Sequence, residues 1–175
     1  MTDDQEWTEL VEKYYEPIYR FCYQMCKSAA EAEDATQQTF LKAFQKKHLL
    51  LDQAKERGWI YQIARNTCID RLRKAKRFVA SFLEHHEPSY TPSLSPIGRK
   101  LKEKIDSLPR KQKEVFILRH LHDFSTAETA DFLGISAGTV KAHLKRAVDK
   151  LREELGDEST ETEGEPSSLA GSELR

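Results

Sequence analysis

The stretch FLGISAGTVKAHLKRAVDKL, residues 132–151, decides the fold of the second half of this chain. Gly134 is the residue type that most often ends a helix, and Ser136 can cap a helix that follows. On a wheel at about 100° per residue, the apolar side chains of that following helix fall on one side, with Val148 at the margin. They are Val140, Leu144, Ala147 and Leu151. The pattern predicts a tight turn and then a helix whose apolar stripe packs on the rest of the fold.

The opposite face of the same helix begins with small residues and carries cations. It comprises Gly138, Thr139, Lys141, Ala142, Lys145 and Arg146. Small side chains let the backbone approach the major groove of DNA, and long cations reach phosphates and guanine edges. The same charges could form an ordinary solvated face. The capped helix and the tight turn in front of them favour contact with DNA.

The residues before this helix complete a predicted helix-turn-helix. STAE, residues 125–128, is a capping box, in which a serine hydroxyl and a glutamate carboxylate satisfy each other's backbone donors. The helix that it opens is expected to end at Gly134 and to bury Ala127, Ala130 and Leu133. An earlier helix is predicted over residues 107–121, with Ser107 as its cap and Pro109 in its first turn.

Helical periodicity is also strong over residues 5–77. A first amphipathic helix carries Leu10, Tyr14, Ile18, Phe21 and Met25 at spacings of three or four. In a second helix, Phe40, Leu41 and Phe44 repeat in the same way, beside a shallow polar face of Ala35, Thr39 and Ala43. Trp59 opens a third helix, and an irregular loop is expected over residues 46–58.

The third helix ends in a basic stretch. Residues 65–77 hold six lysines and arginines against the single acid Asp70. Basic side chains near the aromatic residues Trp59 and Tyr61 suit opened, single-stranded DNA, where cations follow the phosphates and flat rings stack on bases. Trp59 fits equally a role as a core anchor of its helix, which is the interpretation we favour for that residue.

Composition and patterning together predict an all-α protein of two small helical domains. Residues 1–77 form the first domain, residues 78–98 a flexible linker, residues 99–155 the second domain, and residues 156–175 a disordered acidic tail. Strand signals and membrane-spanning apolar runs are absent from the sequence, and the N-terminus lacks the features of a signal peptide. These features, with three cysteines, predict a cytoplasmic protein with reduced thiols.

The sequence contains no recognisable catalytic motif, so we predict that the protein is not an enzyme and uses no cofactor. Cys22 and Cys26, one helical turn apart, could form a metal or redox site with a histidine, but their spacing does not follow zinc-binding patterns. The linker sequence EHHE, residues 84–87, fits a solvated segment better than a metal site. No metal site is therefore predicted.

Three motifs resemble those of the extracytoplasmic-function sigma factors, the smallest members of the bacterial sigma-70 class. AEDATQQTFLKAF, residues 32–44, and WIYQIARNTCIDRLRK, residues 59–74, resemble the family's region 2. The segment from LPRKQKEVF to AVDKLR, residues 108–152, resembles its region 4. The order and spacing of these motifs are more specific than a helix-turn-helix alone. Gln38 departs from the pattern, because the family usually has a glutamate there.

The resemblance implies a dissociable initiation subunit of bacterial RNA polymerase that recognises promoter DNA and begins its melting. Polymerase would be bound by Asp34, Gln37, Gln38, Thr39, Phe40 and Leu41. The loop over residues 46–58 would hold a flipped base of the −10 element, and the melted strand would be gripped by Arg65, Asn66, Arg71, Arg73 and Lys74. The −35 element would be read by Gly138, Thr139, Lys141, Ala142, Lys145 and Arg146. An anti-sigma protein would hold the factor inactive; no small-molecule substrate and no direct membrane insertion are implied.

Two other interpretations remain open from the sequence. GISAGTVKAHLKRAVDKL, residues 134–151, also resembles the DNA-binding domain of LuxR-like regulators, which bind duplex DNA by themselves. The N-terminal half argues against that class, because it shows none of the alternating strand and helix pattern of a receiver domain. The basic patches could instead bind acidic protein partners.

Overall fold

The computed structural model describes residues 3–26, 28–50, 52–79 and 95–156, and all regular structure in these ranges is helical. The helices are α1 (Asp3–Met25), α2 (Ala29–Lys46), α3 (Glu56–Val79), α4 (Pro96–Ser107), α5 (Arg110–Phe116), α6 (Thr126–Leu133) and α7 (Ala137–Gly156). Helix α5 continues as a wider π-helical segment, Ile117–Leu121. The all-α prediction is confirmed. Among the described helices, none combines the length and apolar character required to cross a membrane.

The N-terminal half is built from α1, α2 and α3, which pack against one another. All five residues of the predicted α1 stripe are buried. The prediction for α2 was partly wrong, because Leu41 and Phe44 are exposed, whereas Ala35, Thr39 and Ala43 are fully buried. Small residues allow α2 to approach its neighbours closely, and the hydroxyl of Thr39 needs no outside partner because it donates to the Ala35 carbonyl at 2.6 Å.

The connection between the halves differs from the predicted linker at both ends. Helix α3 continues through Val79, and α4 begins at Pro96 rather than at residue 99. Ser95 caps α4 by accepting a hydrogen bond from the Gly98 amide at 3.1 Å, and a proline in the first turn costs no helical hydrogen bond. Residues 80–94, with the EHHE sequence, and residues 157–175, with most of the predicted tail, lie outside the described residues.

The predicted cap of the helix over residues 107–121 was wrong. Ser107 is the last residue of α4, and its hydroxyl donates to the Lys104 carbonyl at 2.7 Å. Pro109 instead precedes α5 in an extended conformation. The sequence did not distinguish these cases, because serine both ends and begins helices through local hydrogen bonds.

The helix-turn-helix is confirmed by its hydrogen bonds. Ser125 Oγ accepts from the Glu128 amide at 3.1 Å, and a Glu128 carboxylate oxygen accepts from the Ser125 amide at 2.6 Å. Gly134 ends α6 with a φ of 63°, in the left-handed region. Ser136 then accepts from the Thr139 amide at 3.1 Å and caps α7. One core assignment in α6 was wrong: Ala127 is exposed, and Thr129 is buried in its stead.

Substitution of Gly134 by alanine is expected to lower the free energy of unfolding by about 1 kcal/mol, because alanine disfavours a positive φ. The matched control is Gly58→Ala, since Gly58 lies in the first turn of α3, where an added Cβ has nothing within 4 Å. That change should raise stability by up to about 1 kcal/mol. Urea unfolding measures both variants, and equal effects would contradict the assignment of Gly134 as a left-handed cap.

The two halves pack on each other through one continuous core. Buried residues from α1 and α3 form a single cluster with residues from α4, the π-helical segment and α7. At its centre, Phe21 and Tyr61 of the first half meet His122 and Phe124 of the second, with ring centroids 5.1 to 5.5 Å apart. In this structure, the two halves of the free chain are therefore packed against each other, an arrangement that we call closed.

Candidate nucleic-acid interface

Helix α7 presents the face that its wheel predicted. The core stripe is confirmed, because Val140 and Ala147 are fully buried and Leu151 nearly so, while Leu144 packs against the smaller of two core clusters. On the opposite side, five of the six predicted −35 residues are exposed: Gly138, Lys141, Ala142, Lys145 and Arg146. The sixth, Thr139, is half-buried.

The charges of this face remain available to a ligand. Lys145 Nζ lies 3.4 Å from a carboxylate oxygen of Asp149. Both side chains are more than half exposed, so this ion pair is weak in water. Among the described residues, Lys141 and Arg146 form no ion pair. The Thr139 hydroxyl shares a 2.8 Å hydrogen bond with Ser136, which fixes the entry to the helix. The face is thus a regular helix whose cations are exposed to solvent, as contact with phosphates requires.

The predicted −10 residues on α3 separate into two groups. Asn66, Arg73 and Lys74 are exposed, and with Asp70 they form one solvent-facing strip. Arg71 is only partly exposed and pairs with Asp34 of α2 at 2.8 Å. This ion pair links a predicted −10 residue to a predicted polymerase-binding residue.

Arg65, the fifth predicted −10 residue, is turned toward the second half of the chain. Its guanidinium lies 2.9 Å from a carboxylate oxygen of Glu114, a residue of α5. The Glu114 side chain is only 2% exposed. The other carboxylate oxygen accepts from Arg110 Nε at 2.9 Å. In the closed arrangement, Arg65 is therefore unavailable to DNA.

A second polar contact joins the halves beside this ion pair. The Tyr61 hydroxyl lies 2.9 Å from His122 Nδ1, and Arg57 donates to the His122 carbonyl. The guanidinium of Arg57 also stands 4.2 Å above the ring of Phe124. Sequence reasoning missed Glu114 and His122, because each meets a partner about fifty or sixty residues away and no local pattern marks such pairs.

The His122 side chain is neutral in this contact. Burial, followed by the nearby charge of Arg57, lowers its pKa from 6.5 to about 4. Burial likewise raises the pKa of Tyr61 to about 12, so its hydroxyl keeps its proton. Within the described residues, His122 Nε2 has no hydrogen-bond partner, so a proton added there would be buried without compensation.

Acidification is expected to destabilise the folded protein through His122. Because its pKa is lower in the folded state than the ordinary value of 6.5, the unfolded state takes up a proton first as pH falls. The loss begins near pH 6.5 and approaches about 3 kcal/mol as pH reaches 4. Urea unfolding at several pH values across this range measures the slope of the free energy of unfolding against pH. The wild type should show this slope, and His122→Gln should not. The control is His120→Gln, at an exposed histidine; loss of the slope there would contradict the assignment.

The predicted polymerase-binding residues on α2 also separate by exposure. One exposed strip is formed by Asp34, Gln37, Gln38 and Leu41, and residue Leu41 is 59% exposed. Thr39 and Phe40 are buried. Phe40 packs against the rings of Trp7 and Tyr15, at centroid distances of 6.3 and 5.7 Å. These two residues position the strip instead of forming its surface.

The predicted loop over residues 46–58 forms one wall of a cleft between the halves. It contains two short 3₁₀ turns, Lys47–Leu49 and Gln53–Lys55, and its last residues already belong to α3. The facing wall comes from α6 and includes Glu128, Asp131 and Phe132. The cleft has a volume of about 1050 Å³. Trp59 lines it and is only partly buried against the core, consistent with a mainly structural role.

Comparison with known proteins matches both halves of the chain. Residues 10–78 match the family description Sigma-70 region 2, and residues 98–151 match Sigma-70, region 4. The chain is 29% identical to the ECF RNA polymerase sigma factor SigW of Bacillus subtilis, over 89% of this chain and 91% of that protein. It is 31% identical to the ECF RNA polymerase sigma factor SigL of Mycobacterium tuberculosis, over 84% and 89%.

Two solved structures share the fold. One is the sigma factor RpoE in complex with the anti-sigma factor NepR from Bartonella quintana, with a TM-score of 0.76 and 24% identity. That similarity covers 87% of this chain and 98% of the other. The second is CnrH in complex with the cytosolic domain of CnrY, with a TM-score of 0.65 and 21% identity, over 89% and 90%.

Proposed function

Because this chain belongs to the extracytoplasmic-function sigma factors of the sigma-70 family, we propose that it binds bacterial core RNA polymerase and directs it to specific promoters. The observation that carries the proposal is the match of both halves, in family order, joined with an exposed cationic face on α7. A LuxR-like regulator is not favoured, since the N-terminal half matches region 2. The protein would work in the cytoplasm, beside the polymerase, and would not itself catalyse a reaction.

Each half has a proposed part in initiation. The exposed strip of α2 would bind the polymerase, and the exposed strip of α3 would hold the melted −10 strand through Asn66, Arg73 and Lys74. Helix α7 would enter the major groove at the −35 element. Cations at these positions supply the salt-dependent part of DNA binding, and side chains at the start of α7 supply its specificity.

The closed arrangement requires a further step. Arg65 cannot reach DNA while Glu114 holds it, so the halves would separate when the protein binds polymerase. An anti-sigma protein is a proposed partner that would keep the factor from polymerase; one structural relative, the sigma factor RpoE, is in complex with the anti-sigma factor NepR.

Run-off transcription tests the proposal. Purified bacterial core polymerase is incubated with sheared DNA from the source genome, with and without this protein. New discrete start sites with the protein are expected, and their alignment would give the −35 and −10 elements. A folded protein that yields no new start site with an active core would reject the proposal, and binding of duplex DNA without polymerase would then favour the regulator class.

A substitution on α2 tests the polymerase-binding strip. Leu41→Asp is expected to weaken binding to core polymerase by tenfold or more, because about 1.5 kcal/mol or more of apolar burial is lost and a charge is desolvated. The control is Ile97→Asp, at a similarly exposed apolar residue on α4. Binding is measured by fluorescence anisotropy of labelled protein with core polymerase. Equal losses in the two variants would contradict the assignment of α2.

A further inference from the structure

The cations on the exposed face of α7 lack strong counter-charges. Lys141 and Arg146 are exposed, and in the part of the chain that the structure describes neither forms an ion pair. Lys145 beside them has only its exposed pair with Asp149. By contrast, the buried carboxylate of Glu114 neutralises two arginines within the fold. The exposed face of α7 is therefore a positive surface that an acidic ligand could neutralise.

The chain carries a segment of opposite charge directly after this helix. Helix α7 ends at Gly156, and residues 157–175, which we call the acidic segment, contain six acids against one arginine. Residues 99–155, in contrast, hold thirteen lysines and arginines against nine acids. The covalent connection keeps the two at a high effective concentration. The match to region 4 ends at residue 151, so the acidic segment lies outside the matched family pattern.

Three acids of the acidic segment are spaced for contact with a single surface. Glu161, Glu163 and Glu165 alternate with the uncharged residues Thr162 and Gly164. In an extended chain, residues two apart point to the same side and lie about 7 Å from each other. An extended conformation would therefore direct all three carboxylates toward one positive surface.

The length of the acidic segment suits the position of the cations. Lys141 lies fifteen residues before Gly156, about 22 Å along the helix axis, and Arg146 lies ten residues before it, about 15 Å. Glu165 lies nine residues after Gly156, a reach of about 30 Å in an extended chain, and Glu161 lies five residues after it, about 16 Å. The excess of about 8 Å is the length of the two or three residues that a reversal of direction requires.

The cleft between the halves is a less suitable place for the acidic segment. Its wall on α6 carries Glu128 and Asp131, which would repel further acids. The arginines of the opposite wall, Arg57 and Arg65, are already bound to groups of the second half. Charge complementarity therefore favours α7.

We propose that the acidic segment turns back along α7 and covers its exposed cationic face through Glu161, Glu163 and Glu165. The consequence for DNA rests on the function proposed above, because the covered face is the one proposed to read the −35 element. Weak ion pairs suffice within one chain, since the segment is tethered to its site. The segment would compete with DNA, so the free factor would bind DNA less tightly than its cationic face allows.

A spin label in the acidic segment tests the contact in the full chain. The label is attached to a cysteine introduced by Ser167→Cys, and the three native cysteines, at most 1% exposed, are protected from labelling. Paramagnetic broadening of backbone amide signals is measured by NMR. If the segment lies along α7, broadening should be stronger at residues 137–146 than at residues 149–155. The reverse order, or broadening mainly on α3, would overturn the proposal.

Two controls identify the cause of the broadening. Glu161→Gln, Glu163→Gln and Glu165→Gln together should abolish the broadening at the start of α7. A matched control, which should retain it, changes three exposed acids of α1 to glutamine: Glu6, Glu9 and Glu12. Spin-labelled chain is also mixed with isotope-labelled chain that carries no spin label. Broadening in this mixture would overturn the proposal, because the segment would then bind a second copy of the chain.

Binding to a mixed-sequence DNA duplex measures the consequence for the free protein. At low salt, the variant with three glutamines in the acidic segment should bind about threefold to tenfold more tightly than the α1 control, although the two have the same net charge. Equal affinities would overturn the competition with DNA.

Run-off transcription separates this contact from the proposed function. New start sites without the expected broadening would reject only the contact between the acidic segment and α7. The expected broadening without new start sites would support that contact and reject the proposed function.

Discussion

Replacement of Glu114 by glutamine is expected to destabilise the contact between the two halves by about 3 kcal/mol, because it leaves the Arg65 guanidinium without its buried counter-charge. Arg65 would gain more by reaching solvent than by remaining at the interface. The free protein should therefore open, and Arg65 should become available to nucleic acid. Small-angle scattering should report a larger radius of gyration for the variant, and fluorescence anisotropy should report tighter binding to single-stranded DNA.

The matched control for this experiment is Glu103→Gln. It removes the same charge from an exposed position on α4 and leaves the interface intact. Comparison with it separates the opening of the halves from the general effect of a more positive protein on DNA binding. If Glu114→Gln and Glu103→Gln have the same radius and the same affinity, the ion pair does not hold the halves together.

Features that depend on neighbouring residues were predicted well from the sequence. The capping box at Ser125, the left-handed turn at Gly134 and the core stripe of α7 each follow from hydrogen bonds or spacings within a few residues. The exposed face of α7 follows for the same reason, since burial of one side of a helix determines the other. The sequence therefore predicted which side of α7 faces solvent, whereas the reading of a −35 element by that side stays a prediction.

Features that depend on distant residues could not be predicted. In the sequence, nothing distinguishes Arg65 from the other basic residues of α3. Its ion pair with Glu114 forms only because the two halves pack against each other. Thr39 and Phe40 are the buried members of a helical motif whose other members are exposed. The motif alone does not predict which residues of other helices bury them. Local patterns define a residue's face on its helix, whereas the partner of that face depends on tertiary contacts.

The second large effect is expected from Lys141→Ala combined with Arg146→Ala on the exposed face of α7. Each side chain that contacts a phosphate or a base edge contributes about 1–3 kcal/mol, so the double variant should bind its promoter at least about thirtyfold more weakly as the complex with core polymerase. The test uses a promoter identified by run-off transcription. Stability should be nearly unchanged, because both side chains are exposed.

Salt dependence distinguishes direct contact from loss of overall charge. If Lys141 and Arg146 each neutralise a phosphate, the slope of log affinity against log salt should fall by about two in the double variant. Arg99→Ala with Arg152→Ala removes the same charge from exposed positions on α4 and the far end of α7, and it should leave the slope unchanged. Equal slopes for the two double variants would mean that α7 does not enter the groove through this face. Because long-range attraction acts on both variants alike, only contact through the exposed face of α7 can make their slopes differ.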